Sequence, residues 1–227
     1  MTIGKEEHYR KVEALLEASR SVLAYSSFDE SARIIFDQAK KITGAKAGYV
    51  ALLKENGEEN EVLFLDAGGM PCTVDPELPM PIRGLRAACY ASAKAVYDND
   101  FMNSQWTKYL PEGHVAMKNV MFSPLIIEGK VVGVMGLANK DGNFTDEDAR
   151  MAGAFGEFAS IALANSRTLD KLRTTVSQLE HALEMVKTLK GIIPMCAKCK
   201  KIRDDDGYWR RVEEYLHENA DVDFSHG

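Results

Sequence analysis

The sequence predicts an α+β fold: one domain of helices around antiparallel β-hairpins, continued by a long C-terminal coiled-coil helix. Three observations lead there. Two pairs of β-patterned segments are joined by the short turns Asn56-Gly57 and Glu128-Gly129, and links that short make antiparallel hairpins. Apolar residues at helical spacing precede the first pair. From Phe155 to Val186 seam positions recur at alternating intervals of three and four, all apolar except Asn165, the pattern of a coiled-coil seam.

The elements follow in order. Val12, Leu15, Leu16, Ser19, Val22 and Leu23 form one stripe on a first helix, residues 5–24. Ser27 with Glu30 three residues on matches a capping box, so a second helix starts near Phe28 and ends at Gly44. The period then changes to that of strands at 46–54 and 60–66. A loop rich in Pro, Gly and Met covers 67–81. Residues 84–95 read as a helix, 96–98 as a short strand and 101–110 as a short helix. Strands return at 119–127 and 130–139. Thr145 caps the long helix, and Asp146, Glu147 and Asp148 sit in its first turn, where the helix dipole favours anions. Residues 146–165 have small or apolar neighbours around the seam and suit packing on their own domain. From Thr168 to Lys187 the positions off the seam are mostly polar, which predicts a parallel homodimer through this helix. Gly191 and Pro194 end it. A charged tail with a short amphipathic helix at 209–218 follows.

Composition narrows the function. The chain has 227 residues, more than one domain at roughly 150 residues each. It is 45% hydrophobic and 27% charged, ordinary globular proportions that exclude a chain disordered throughout. A net charge of −6 with no basic stripe argues against nucleic acid as a partner. No apolar run reaches the roughly 18 residues of a membrane span, so no membrane insertion is expected. The N-terminus is charged and helical in pattern, with no signal-peptide core. The expected location is cytoplasmic. Four cysteines are too few for a disulfide scaffold, and the Cys196-Ala-Lys-Cys199 pair suggests metal or redox chemistry.

The element order, together with NVMFSPLIIEGKVVGVMGLANKDGNFTDEDARMAGAFGEFASIALANS at 119–166, resembles the GAF domain family over residues 20–166. The resemblance implies an antiparallel sheet of about five or six strands. It also implies helices from both ends of the domain on one face and a ligand pocket on the other, under the irregular insert. Such modules are mostly sensors in bacterial signalling proteins. The expected organisation is a sensory domain with its N-terminal helix at 1–166, a coiled-coil signalling helix at 167–190 and a connector at 191–227. The segment from Leu189 to Gly227 is similar to one found after sensor domains in two-component and cyclic-di-GMP signalling proteins. There a second cysteine pair follows Ser-His-Gly, so the connector is expected to be a truncated one leading to an output domain.

Candidate site residues follow. For a small-molecule ligand they are Cys89, Trp106, Tyr109, His114, Met121 and Ser123, with the last two expected to face the aromatic insert from the sheet. The alternative is that Trp106 and Tyr109 plug a ligand-free dimerisation module. His114 is also a candidate ligand for haem or another metal. Arg83 and Arg86 suit either an anionic ligand or a solvated face. Cys196 and Cys199 have zinc-knuckle spacing, but zinc needs four ligands, so the others must come from His217, His226, a partner chain or further residues. Bilin-binding relatives attach their chromophore at a cysteine followed by His; here Tyr90 follows Cys89. One GAF branch reduces free methionine sulfoxide with clustered cysteines, for which Cys72 and Cys89 are the available pair. Asn139-Lys140, Phe144 and Asp148 resemble a signature of cyclic-nucleotide-binding GAF domains, with Ala149 where that signature has Glu. The Lys–Asp pair is read as an architectural clamp. The sequence thus favours a non-catalytic sensor, with a scaffold and a thiol-dependent reductase as alternatives.

Overall fold

The computed structural model describes residues 3–219 apart from 26, 72, 76, 77, 191–193 and 205. Cys72, Gly191 and His226, and the side chain of Val186 at the end of the seam, lie outside the described residues. The chain forms two units, Met1–Asp170 and Lys171–Gly227.

In the first unit, α1 (Ile3–Ala24) and α2 (Phe28–Thr43) precede the hairpin β1 (Ala47–Leu53) and β2 (Glu59–Asp66). Then come β3 (Met80–Pro81), α3 (Gly84–Ser92), β4 (Val96–Asp98), two single 3-10 turns at Phe101–Asn103 and Thr107–Tyr109, and the hairpin β5 (Val120–Ile127) and β6 (Lys130–Ala138). The long helix α4 (Asp146–Lys190) begins in this unit. The six strands make one antiparallel sheet in the order β3-β2-β1-β6-β5-β4. The β5–β6 turn works because Glu128 and Gly129 both take positive φ, 50° and 76°, which matches the twist of the flanking strands.

Local chemistry explains the helix boundaries. Gly44 ends α2 in the left-handed conformation and returns its N–H to the Lys40 carbonyl at 2.8 Å. Ser27 stands at the start of α2 in extended backbone, but its side chain makes no capping bond, so the Ser27–Glu30 box does not form. Thr145 and Asp148 form one instead: the Asp148 N–H reaches Thr145 Oγ1 at 3.2 Å, and the Thr145 N–H reaches Asp148 Oδ2 at 2.8 Å.

The sheet separates two cores. On one face, α1, α2 and α4 cover Val50, Phe64, Met121, Leu125, Met135 and Leu137. Ile35, Phe36, Phe144 and Phe155 are fully enclosed there, and each such side chain contributes about 1.5–3 kcal/mol. On the other face, Leu85, Cys89 and Phe101 lie over Ala47, Val120, Phe122, Val134 and Ala138.

The stripe expected on α1 is corrected by the structure. Its packed face is Ala14, Ala18, Ser21 and Val22, while Val12, Leu16 and Leu23 are exposed. Small residues let α1 approach α2 closely, and the larger apolar ones face outward. Tyr9, Val12, Leu16 and Leu23 recur at intervals of three, four and seven, an outward heptad-like seam of their own.

In the second unit α4 continues, followed by β7 (Ile202–Arg203) paired with β8 (Trp209–Arg210), and α5 (Val212–Asn219). A bridge from Met195 to Ile202 ties the cysteine turn to this hairpin, and Ile202 is buried beneath it. Among the described residues no helix is long and apolar enough to cross a membrane.

Candidate functional site

The insert face of the sheet is an apolar compartment crossed by a few polar side chains. Successive strand residues alternate between faces, so on β5 Val120 and Phe122 look into this compartment. Met121 and Ser123 do not. Met121 packs in the helix-covered core, and Ser123 donates to the Ala152 carbonyl of α4 at 2.9 Å. Those two candidates are therefore separated from the insert by the thickness of the sheet. The run VMFSPL is buried on both faces, so it carries no alternation from which the facing could be read.

Cys89 and Trp106 do share the compartment. Cys89 is fully buried, its thiol lies 3.6 Å from the Phe122 carbonyl, and burial pushes its pKa up to about 12. Trp106 packs partly buried against the same cluster, as do Tyr49, Tyr90, Met70 and Leu110. Tyr109 covers the start of α3, with the Arg83 guanidinium 5.6 Å and the Lys108 ammonium 5.0 Å from its ring centre. Arg83 also donates to the Tyr109 carbonyl at 3.2 Å and is otherwise exposed. His114 contacts its own neighbour, Nδ1 lying 2.8 Å from the Val115 carbonyl.

The polar members converge from three elements. Arg86 on α3 donates Nη1 to the Tyr49 hydroxyl of β1 at 3.2 Å and Nη2 to the Pro81 carbonyl at 2.6 Å. Asn60 on β2 donates Nδ2 to the Tyr90 hydroxyl at 2.5 Å and to the Leu52 carbonyl at 3.3 Å. Burial raises the pKa of both phenols, so both stay neutral. Asn60 and Tyr49 carried no sequence signal of a site, because each reads as an ordinary strand residue and the contacts join distant segments. Two open grooves of about 330 Å³ and 420 Å³ lie elsewhere, along α1.

Beside the compartment, a buried asparagine, Asn119, and a half-buried one, Asn99, hold the loop from β6 to α4. Asn119 donates to the Lys140 and Gly142 carbonyls at 3.1 and 2.7 Å and accepts the Lys140 N–H at 2.9 Å. Asn99 exchanges two bonds with the Phe144 backbone. Neither role is legible in the sequence, since an asparagine near a strand reads as a turn former.

In the second unit, the Cys196 N–H donates to the Lys201 carbonyl at 2.8 Å, closing a tight turn around the pair. Backbone N–H groups of Cys199, the Cys199 thiol and the Lys198 N–H, in that order, lower the Cys196 pKa, so the turn favours a thiolate. Two thiols fit half of a tetrahedral site. Among the described residues no group of three or more His, Cys, Asp or Glu side chains is placed to hold a metal.

Comparison with known proteins sets this geometry in context. The methyl sulfide methyltransferase-associated sensor of Methanosarcina acetivorans is 23% identical over 185 residues, 79% of this chain and 18% of that protein, so the chain spans less than a fifth of that relative's length. The GAF domain of Acinetobacter phosphoenolpyruvate-protein phosphotransferase superimposes with a TM-score of 0.59 at 16% identity, covering 74% of this chain and 97% of that one. Free methionine-R-sulfoxide reductase from Neisseria meningitidis, solved with its substrate, superimposes with a TM-score of 0.58 at 17% identity, covering 70% and 91%. At these identities the structures establish a shared fold. A family model described as GAF domain matches residues 26–164. That match takes in both hairpins, the insert and the part of α4 that packs beneath β5, and the chain belongs to the GAF domain family.

Proposed function

We propose that this chain is a non-catalytic sensory module of a signal-transduction protein. It binds a small ligand, or responds to redox state, at the insert face and relays the change as a homodimer through α4 to an output domain. In this reading residues 1–166 sense, 167–190 transmit and 191–227 connect, and the module works in the cytoplasm.

The observation that carries the reading is the seam of α4. Leu169, Leu172, Val176, Leu179 and Leu183 are all exposed on a helix that grows without interruption from the sheet domain. Leu172 is 57% exposed and Leu179 60%. An apolar stripe of that length with polar flanks is stable in water only when covered, and a second parallel copy covers it by knobs-into-holes packing. A ligand then acts through its differential affinity for two arrangements of the paired helices. Sedimentation equilibrium tests this. A dimer supports the reading, and a monomer at high micromolar concentration ends it.

A ligand-free dimerisation scaffold is the second reading, favoured by the way Tyr49, Phe122 and Trp106 fill the insert face themselves. Native mass spectrometry of protein purified from cells, with a thermal-shift screen, separates the two: a retained ligand or a large shift supports sensing. A thiol-dependent reductase is disfavoured by Cys89, whose enclosed thiol is held neutral far above physiological pH. Reduction of free methionine sulfoxide by the unmodified chain, lost in Cys72→Ser or Cys89→Ser, would restore it. Zinc at Cys196 and Cys199 belongs to this proposal only with two further ligands from outside the described residues.

A further inference from the structure

At the insert face one buried donor and one buried acceptor have no partner, and beside them stand two phenol hydroxyls that are used only as acceptors; together they describe a ligand. Asn60 is 3% exposed, and while its Nδ2 is used twice, its Oδ1 accepts no hydrogen bond. The Nε–H of Arg86 is buried without an acceptor. No carboxylate among the described residues pairs with this guanidinium. The Tyr49 hydroxyl accepts from Arg86 and the Tyr90 hydroxyl accepts from Asn60, and neither phenol proton is given to any described group. Native interiors rarely leave atoms such as Asn60 Oδ1 and Arg86 Nε open, because an unmade buried hydrogen bond costs more than a made one contributes. The four side chains form one cluster: Tyr90 feels Tyr49, Arg86 and Cys89, and Tyr49 feels Arg86 and Cys89.

The chemistry of the open groups selects the partner. A cationic N–H and two neutral phenol O–H groups all need acceptors, and the site supplies positive charge with no counter-charge. A carboxylate offers two oxygens with about four lone-pair positions, enough for all three donors. The single open acceptor, Asn60 Oδ1, needs a donor on the same ligand. Resting on the sensory reading above, we infer that Arg86, Tyr49, Tyr90 and Asn60 form the recognition site for a small organic carboxylate with a hydroxyl or amino group on the adjacent carbon. Arg86 as a residue is partly buried, although its Nε is enclosed. The partly buried Trp106 ring packs on the apolar cluster of the insert face, on which Tyr49 and Tyr90 also pack, so its fluorescence serves as a reporter.

Calorimetric titration of the full chain with glycolate, lactate, malate, alanine and glutamate tests this, with propionate and lactamide as controls. At least one hydroxy or amino acid binds. Propionate, which lacks the donor, binds about tenfold more weakly, and uncharged lactamide does not bind. Arg86→Met weakens every carboxylate by about tenfold to a hundredfold, and Arg86→Lys retains part of the affinity and so controls for folding. Asn60→Leu lowers the preferred acid to the level of propionate and leaves propionate unchanged. Unaltered binding in Arg86→Met overturns the inference, as does a wild-type chain that ignores all five acids. If a neutral compound binds in that case, the sensory reading stands and only the ligand class is wrong. If native mass spectrometry and a metabolite library also find nothing, both fail.

Discussion

Lys140 Nζ lies 2.5 Å from Asp148 Oδ2, joining the end of β6 to the first turn of α4. The same carboxylate oxygen accepts the N–H and the hydroxyl of Thr145, each at 2.8 Å. One carboxylate therefore caps the helix and neutralises the lysine, at the junction between β6 and α4. Asp148→Ala removes the cap and leaves Lys140 without its partner, and it should cost about 2–4 kcal/mol in urea unfolding. Lys140→Met should cost less, about 1–2 kcal/mol, because the capping bonds survive. The double variant should be clearly more stable than the sum of the two losses implies. Strict additivity would mean that the pair is not coupled.

Two glycines three residues apart on α4 should respond in opposite directions to alanine. A Cβ at Gly156 would lie 2.6 Å from the Pro124 carbonyl oxygen and 2.8 Å from Ser123 Oγ, whereas one at Gly153 meets nothing within 4 Å. Gly153→Ala should stabilise by about 0.5–1 kcal/mol through helix propensity. Gly156→Ala forces the helix off β5 and should cost about 1–3 kcal/mol. Thermal unfolding of the two variants checks the sign, and equal effects would refute the close approach of α4 to β5.

The elements that the sequence made legible were those with a strong period or a turn that tolerates few residues. Asn56-Gly57 and Glu128-Gly129 marked both hairpins, and Thr145 marked the start of the long helix. Facing was harder to read. Val120 and Met121 are equally apolar and equally buried, so only the register of β5 against β6 decides which meets the insert. On α1, hydrophobicity pointed to Val12 and Leu16, but close helix packing buries Ala14 and Ala18. Met80 and Pro81 form the edge strand β3 inside what reads as loop, because pairing with Glu59 and Asn60 supplies an order that a two-residue segment cannot signal. The Arg86–Tyr49 and Asn60–Tyr90 contacts span 37 and 30 residues, beyond the reach of any local pattern.

The exposed seam makes a prediction about assembly. Leu172 and Leu179 are exposed and lie outside the unit that holds the sheet, so Leu172→Glu with Leu179→Glu should leave the unfolding of the sheet domain nearly unchanged. The same double variant should convert a dimer into a monomer by light scattering, since four charges would be placed in a seam that needs apolar residues. Leu16→Glu on α1 tests whether the outward face of Tyr9, Val12, Leu16 and Leu23 joins the same interface. A weakened dimer there extends the contact to α1, and an unaffected one confines it to α4.

Cys89 and Cys196 should differ in reactivity and in their response to alkali. In a Cys72→Ser background, an aromatic disulfide reagent at pH 8 should label Cys196 first, since its turn favours the thiolate. Cys89 should react only at the rate at which the domain opens, because its thiol is enclosed and stays protonated to about pH 12. The sign of the pH effect follows from the raised value. The unfolded thiol loses its proton near 9.0 and the folded one near 12, so the contribution of Cys89 to stability is intact below pH 9.0 and declines as the pH rises towards 12. Tyr49, also raised by burial, acts in the same direction from 10.0 upward. Cys89→Ala should therefore lose stability less steeply than the unmodified chain above pH 9.0. An identical slope, or rapid labelling of Cys89 in the native protein, would mean that the thiol is open to solvent and would return the reductase reading to consideration.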